Sequence, residues 1–265
     1  MIRFTKMHGL GNDFIIVNKS SILGYHNIKN IVLEYADRKT GIGCDQFIIY
    51  EEAGNEVIME IYNSDGSRAL ACGNASRCLA HLLTQNSPSK KIKLKVGERV
   101  VEAEAKSLDE VLVNMGGAIF EDGWMPTRDQ LSAELTQYLS HNAEFMCISV
   151  GNPHIVIMDQ NLSNEDAAIL GPRLEKSALF KDGVNVNFAR IENGKIALRV
   201  WERGAGFTLA CGSGACATFA ALHKLGFAQD EATISFELGD LKMKMKEGKV
   251  LMSGPVSYVA KGELI

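Results

Sequence analysis

The sequence predicts an α/β protein of the α+β kind: two pseudo-symmetric domains from an internal duplication, each a curved, mostly antiparallel sheet wrapped around a central helix. Three observations predict it. The first is that Ala71-Cys72-Gly73-Asn74 returns as Ala210-Cys211-Gly212-Ser213, 139 positions later. The same offset relates Leu70 to Leu209, Tyr62 to Trp201, Asn63 to Glu202 and Val111-Leu112 to Val250-Leu251, and Gly11-Asn12 answers Gly151-Asn152 at 140. A register kept over about a hundred positions marks a duplicated domain, since solenoid repeats have periods of roughly 20–50. The second is that both halves consist largely of short β-branched runs between Gly, Asn and Asp breaks, the pattern of strands. The third is the stretch after each cysteine. Ala215-Cys216-Ala217-Thr218-Phe219-Ala220-Ala221 is apolar or small on nearly every helical face, and a helix apolar all round is a buried helix.

Taken in order, the first half places strands at Arg3–Met7, Phe14–Asn18, Gln46–Tyr50, Val57–Tyr62, Ile92–Val96, Val100–Ala105 and Val111–Met115. The second half repeats them at Met146–Val150, His154–Met158, Val184–Ala189, Ile196–Trp201, Thr233–Leu238, Leu241–Lys246 and Lys249–Ser253. The buried helices run over Asn74–Gln85 and Gly214–Leu225, and two surface helices are expected near Asn27–Asp37 and Thr127–Ser140. Residues 1–116 form the half carrying Cys72, with 255–265 packing back on it, and 117–265 form the half carrying Cys211. The glycines and Pro126 of Gly116–Gln130 mark the crossover.

Composition narrows the function. At 265 residues the chain suits two domains, and its net charge of −4 leaves no basic excess for a nucleic-acid backbone. The apolar run Phe14–Val17 is far too short for a signal-peptide core or a membrane span, which makes the cytoplasm the default location. Six cysteines then read as reduced thiols, with Cys44, Cys78, Cys147 and Cys216 as small buried apolar residues.

Cys72 and Cys211 are different. Each sits in the turn entering its helix, followed by Gly73-Asn74 or Gly212-Ser213, beside unpaired N–H groups and the positive end of the helix dipole. That position favours thiolate, and the same N–H groups suit a substrate carboxylate. If the halves face each other across a pseudo-two-fold axis, the two sulfurs lie on opposite sides of one carbon. One thiolate then removes an α-proton while the opposite thiol supplies a proton to the other face, with no cofactor and no metal. Gly9-Leu10-Gly11 and Gly204-Ala205-Gly206 are better read as turns than as dinucleotide loops.

Several blocks along the whole chain resemble the signatures of the diaminopimelate epimerase family, in the family's order. They are Gly9-Leu10-Gly11-Asn12-Asp13-Phe14, Gly41-Ile42-Gly43-Cys44-Asp45-Gln46, Asn63-Ser64-Asp65-Gly66 and Ala71-Cys72-Gly73-Asn74-Ala75-Ser76-Arg77-Cys78 in the first half. Gly151-Asn152-Pro153-His154, Gly183-Val184-Asn185-Val186, Glu202-Arg203-Gly204-Ala205-Gly206 and Ala210-Cys211-Gly212-Ser213-Gly214-Ala215 follow in the second. The resemblance implies cofactor-independent epimerisation of LL-2,6-diaminopimelate to the meso isomer, in lysine and peptidoglycan precursor biosynthesis, by a cytoplasmic homodimer. It places the catalytic pair on Cys72 and Cys211. Substrate contacts fall on the side chains of Asn12, Gln46, Asn63, Asn152, Asn185, Glu202 and Arg203, and on the backbone of Gly73, Asn74, Gly212 and Ser213. His154 and Glu202 take the part of tuning the thiols. Ala75 stands where the family commonly has glycine, Phe207 where a glutamate is frequent, and Ala260 where an aromatic residue helps to form the dimer.

Each residue also has a plainer reading. Asn before Asp or Gly is commonly a turn residue, and His154 after Pro153 is commonly a hydrogen-bonded structural histidine. His8, His26, His81, His141 and His223 keep that plainer reading. A two-cysteine racemase of proline or histidine would use the same thiols without needing the distal Glu202, Arg203 and Asn185. A redox pair lacks Cys-x-x-Cys, a zinc site lacks ligand spacing, and a binding module needs no cysteine at either helix start.

Overall fold

The computed structural model of the chain describes residues 1–24, 27–69 and 71–264; Leu70 and His26 of the sequence reading lie outside them. Strands β1 (Ile2–Gly9) and β2 (Asn12–Asn18) are followed by helix α1 (Ile28–Ala36), then β3 (Gln46–Ala53), β4 (Glu56–Asn63) and β5 (Arg68–Ala69). Helix α2 (Gly73–Thr84) precedes β6 (Lys91–Val96), β7 (Arg99–Ala105) and β8 (Val111–Gly117). The second half runs α3 (Arg128–Leu135), β9 (Glu144–Ser149), β10 (Pro153–Met158), α4 (Asn164–Glu175), β11 (Asn185–Glu192), β12 (Lys195–Glu202) and β13 (Gly206–Thr208). It continues through α5 (Gly212–Lys224), β14 (Glu231–Phe236), β15 (Gly239–Lys246) and β16 (Lys249–Gly254) to β17 (Ser257–Leu264).

The chain divides into two compact units, residues Met1–Asn114 with Ser253–Ile265 and residues Met115–Met252. In the first unit, hydrogen bonding orders the strands β17, β1, β2, β3, β4, β6, β7, β8, with β2–β3 and β4–β6 parallel and the other pairs antiparallel. In the second unit the order β9, β10, β11, β12, β14, β15 has β10–β11 and β12–β14 parallel. Strand by strand this is the same topology. Even the first unit's β17–β1 contact has a counterpart, an antiparallel bridge between Ile119 and Ser149 beside β9.

Each sheet is covered on both faces, so its inner strands are continuously apolar rather than alternating. In β2, Ile15 and Val17 join Ile31, Val32 and Ala36 of α1 in one core, while Phe14 and Ile16 are buried on the face of α2. In β10, Ile155 and Ile157 join Leu170 and Leu174 of α4 in another. Helix α2 packs on β1, β2, β6 and β7, and α5 on β9, β10, β11, β14 and β15. The two central helices are buried on nearly all sides, at Cys78, Leu79 and Ala80 in one and Cys216, Ala217, Phe219 and Ala220 in the other.

The fourteen expected strands all form, with ends displaced by at most three residues. The helix expected at Thr127–Ser140 is shorter. It starts from a capping box between Thr127 and Gln130 and stops at Leu135, and further on the Ser140 N–H and hydroxyl donate to the Asp159 carboxylate at 2.8 and 2.7 Å instead of continuing a helix. Helix α4 and strands β5, β13 and β17 had no expectation. Gly171-Pro172 hides α4, yet Ser163 caps it by accepting from the Asp166 N–H, and the missing side chain at Gly171 admits Trp201, whose ring atoms a Cβ would meet at 2.8 Å.

Helix α5 enters its sheet more closely still. A Cβ on Gly214 would meet Asn187 Oδ1 at 2.6 Å and Val200 Cγ2 at 2.9 Å, whereas Ala75, its counterpart in α2, is accommodated with its side chain fully buried. Gly214→Ala is therefore expected to lower the unfolding free energy by about 1–3 kcal/mol through overpacking, despite the better helix propensity of alanine. Urea denaturation measures it. An unchanged midpoint would show that Asn187 and Val200 yield freely.

Candidate active site

Both cysteines act as helix caps. Cys72 has extended backbone angles (φ −154°, ψ 107°) and its sulfur accepts the Ala75 N–H at 3.4 Å, the third N–H of α2. Cys211 (φ −123°, ψ 111°) accepts the Gly214 N–H at 3.3 Å in α5. A sulfur at this position takes one of the otherwise unpaired amides of a helix start and sits at the positive end of its dipole. Cys72 is half-buried and Cys211 buried.

In the first unit, Asn12 joins the cap. Its Oδ1 accepts from Asn74 Nδ2 at 3.2 Å and from the Cys72 thiol at 3.8 Å, while its Nδ2 donates to Asp45 Oδ2 at 3.0 Å. The carboxylate can only accept, so it determines which way the amide of Asn12 points. Asp45 is held in turn. Its backbone N–H donates to Asp13 Oδ1, Arg38 Nη2 reaches both carboxylates at 2.7 Å, and Lys6 Nζ lies 3.1 Å from Asp13 Oδ2. Burial opposes ionisation of Asp13, but hydrogen bonds from Arg38, Lys6 and the Asp45 backbone outweigh it and hold the carboxyl at about 2. Gln46 and Asn63 form a separate pair across β3 and β4, with Gln46 Nε2 donating to Asn63 Oδ1 at 3.0 Å. Gln46 Oε1 is buried without a hydrogen-bond partner among the described residues.

The second unit gathers Cys211, Ser213, Asn152 and His154. Ser213 Oγ lies 3.5 Å from Cys211 Sγ, accepts from Asn152 Nδ2 at 3.3 Å, and is 3.2 Å from His154 Nε2, which is also 3.1 Å from Asn152 Oδ1. His154 is fully buried; desolvation drives its pKa down to about 3 and leaves the ring neutral. Asn185 forms a second group with the loop after β12, its Nδ2 donating to the Pro153 carbonyl at 2.8 Å and its Oδ1 accepting the Arg203 N–H at 3.0 Å. Arg203 Nη1 donates to the Asp182 carbonyl, and Glu202 accepts from the Thr208 hydroxyl. Phe207 packs edge-on against Trp201 with ring centroids 5.2 Å apart and lies under the Arg199 guanidinium at 4.1 Å, so the apolar residue there is part of the core beside this loop.

Sequence reasoning missed the residues behind the contacts. Asp13 and Asp45 stand next to Asn12 and Gln46 within the two Gly-rich blocks, so an acid adjoining each amide was the available signal. Glu175, which accepts from Trp201 Nε1 at 2.7 Å and from the Gly204 N–H at 2.8 Å, gave none. Among the described residues no three His, Cys, Asp or Glu side chains converge as a metal site, and no helix is long and apolar enough to cross a membrane.

The diaminopimelate epimerase family model matches residues 4–121 and 146–259. The chain belongs to the diaminopimelate epimerase family. The family's diaminopimelate epimerase from Rickettsia prowazekii (strain Madrid E) is 47% identical over 262 residues, covering 99% of this chain and 97% of that protein. Membership makes the chain an enzyme of the isomerase class, an amino-acid epimerase. Two solved structures share the fold at low identity. A phenazine biosynthesis protein of the PhzF family from Bacillus anthracis superposes with a TM-score of 0.76 at 10% identity, over 100% of this chain and 99% of that one. A hydroxyproline epimerase from Agrobacterium vitis gives 0.68 at 12%, over 99% and 90%. The family segments leave out residues 122–145, which include α3.

The charged cluster behind Asn12 makes stability depend on pH. The folded carboxyl of Asp13 lies below its unfolded value of 3.8, so its contribution is complete above that pH and disappears as pH falls through about 2. Asp13→Asn is expected to cost about 2 kcal/mol near neutral pH, with the deficit shrinking below about pH 4. Denaturant unfolding of both proteins over a pH series tests this. A deficit that stays constant through the acid range would show that Asp13 acts through packing alone.

Proposed function

We propose that the chain converts LL-2,6-diaminopimelate to the meso isomer by two-base catalysis through Cys72 and Cys211, with no cofactor. The observation that carries the reading is the pair of sulfur-capped helices, one in each duplicated unit of a chain that belongs to this family. Inversion at a carbon requires a proton to leave one face and another to arrive on the opposite face. In the forward step, the thiolate of one cysteine takes the α-proton and becomes a thiol. The electron pair left behind spreads onto the substrate carboxylate, and the second cysteine's thiol protonates the other face and becomes the thiolate. The pair ends with its protons exchanged, ready for the reverse reaction.

The flanking residues suit a ligand with an amino-acid head at each end. The first-turn amides of Gly73 and Asn74 and of Gly212 and Ser213 offer donors for the proximal carboxylate, where negative charge grows in the transition state. Asn12 and Asn152 border the same caps. Arg203 offers a planar guanidinium to the distal carboxylate, with Glu202 and the amide oxygens of Gln46, Asn63 and Asn185 available to an ammonium. Gln46 Oε1, which has no hydrogen-bond partner among the described residues, supports an acceptor role, because a buried acceptor without a donor is costly until a ligand supplies one. His154, neutral and two hydrogen bonds from Cys211, takes the role of tuning the thiol.

A cytoplasmic location belongs to the same reading and is supported by six free cysteines. So does a homodimer, with Ala260 exposed on β17 contributing less apolar area than the family's aromatic residue.

Purified protein incubated with LL-diaminopimelate in D₂O, without added cofactor, is expected to take deuterium into one α-carbon as the meso isomer appears. Cys72→Ala and Cys211→Ala should each abolish epimerisation with the fold retained by circular dichroism. Near-normal turnover in either single variant would refute the two-base scheme, and turnover of proline or histidine but not diaminopimelate would make the chain a two-cysteine racemase of a smaller amino acid.

Arg203→Lys separates the distal head from the proximal chemistry. Loss of the planar pair is expected to cost about 2–4 kcal/mol in transition-state binding, read as kcat/KM, while slow α-proton exchange persists at high substrate. A wild-type kcat/KM would remove Arg203 from the distal site.

A further inference from the structure

Behind the Cys211 cap lies a buried polar pair that the first unit does not have. The register of β10 on β11 sets His154 beside Asn185 and Val156 beside Asn187, and the register of β2 on β3 sets Phe14 beside Gln46 and Ile16 beside Ile48. His154 thus occupies the place of Phe14, and Asn187 that of Ile48, all four fully buried. One duplicated unit has an apolar pair where the other has an amide and an imidazole.

The orientation of Asn187 is not open to choice. Its Nδ2 donates to the Ile155 carbonyl at 3.0 Å, an atom that only accepts, and the same nitrogen lies 3.0 Å from His154 Nδ1. His154 Nδ1 therefore accepts, and a neutral ring must carry its proton on Nε2. Burial keeps the ring neutral, and the Arg203 charge opposes its protonation further. The Nε2–H can then donate to Asn152 Oδ1, which turns Asn152 Nδ2 toward Ser213 Oγ. With its oxygen accepting, the Ser213 hydroxyl has its proton left for Cys211 Sγ. In the opposite tautomer every link reverses. Nε2 would accept from Asn152, whose oxygen would take the Ser213 proton, and Ser213 would become an acceptor for the Cys211 S–H.

We propose that Asn187 is a positioning residue for the reaction: its amide fixes His154 as the Nε2–H tautomer, so that Ser213 donates to Cys211 and favours the thiolate on that sulfur. The proposal rests on the two-base reading, in which Cys211 must alternate between thiolate and thiol. It also distinguishes the two sulfurs, since in the other unit the amide of Asn12 presents an oxygen to Cys72 and so favours a thiol there. The elements around this relay also carry Glu202 at the end of β12 with Arg203 just after it, Cys216 within α5, Arg190 and Glu192 paired with each other on β11, Lys195 and Arg199 of β12 bonded to Asp240 and Asn164, His223 and Lys224 in the last turn of α5, and Glu144 and Cys147 on β9.

Nitrogen NMR of the wild-type protein, without substrate, reads the tautomer directly. A protonated Nε2 and bare Nδ1 on His154 are expected, and a protonated Nδ1 would overturn the proposal whatever the variants do. Thiolate absorbance in Cys72→Ala with Cys216 also changed to alanine follows the ionisation of Cys211, because burial pushes Cys44 and Cys147 up to about 12 and raises Cys78 as well. Adding Asn187→Leu to that background should raise the apparent pKa of Cys211 by about one unit, roughly a tenfold loss of thiolate at neutral pH. Adding Ser213→Ala should raise it similarly. In the otherwise wild-type enzyme, Asn187→Leu should lower kcat with KM little changed and move the pH profile of kcat to higher pH. A folded Asn187→Leu protein with an unmoved Cys211 titration and an unmoved pH profile would overturn the assignment. If that variant does not fold, the NMR spectrum and Ser213→Ala decide. Because the tautomer and titration are read without substrate, their failure is distinct from a wild-type protein that fails to epimerise diaminopimelate.

Discussion

A sulfur accepting the third N–H of a helix buried on nearly every side is the contact on which each half of this molecule turns. The capped N–H of each helix belongs to a buried residue, Ala75 or Gly214, and leaving it unpaired costs roughly 1–3 kcal/mol. Serine, threonine, aspartate and asparagine are the usual answers. Cysteine supplies a weaker acceptor, but one whose ionised form is stabilised by the same amide and dipole. The cap and the chemistry proposed for it therefore draw on a single arrangement. The small residues behind each cap follow from it, since Ala75 and Gly214 let the helix start press against its sheet.

Duplication supplied two such caps, and divergence made them unlike. The backbone of the two units agrees in strand order, in direction and in cap geometry. The differences lie one layer deeper, where aspartates and an arginine brace Asn12 in one unit and an asparagine and a neutral histidine stand behind Ser213 in the other. Two initially equivalent thiols are thereby placed in unlike hydrogen-bonding company. A reaction that needs an acid and a base at once calls for such a distinction.

The strands, the central helices and both cysteines were legible because they depend on periodicity and repetition, which a single chain displays. Asn27–Asp37 was legible for a related reason. Asn27 caps α1 and Asp37 ends it, close to the expected limits. What was not legible depends on partners distant in sequence. Nothing local in Asn164–Glu175 advertises a helix across Gly171-Pro172; the indole of Trp201 and the contacts of Glu175 make it one. Among site residues, Asn12, Asn152 and Arg203 were visible in their blocks, but the groups that aim them were not. Asn187 reads as one more polar residue in a β-branched run, and only the register of β10 on β11 brings it to His154.

Strand β17 bears on how the molecule is made. It pairs along β1 from Ile2 with Leu264 to His8 with Ser257, so β1 waits for a strand on the far side of the second unit before their sheet has its edge. The unit spanning Met115–Met252 has no such gap and is contiguous in the chain. During translation the second unit can therefore close before the first. Until β17 leaves the ribosome, the nascent β1 presents an open row of amides and carbonyls to any passing strand, the circumstance in which chaperone capture is most useful.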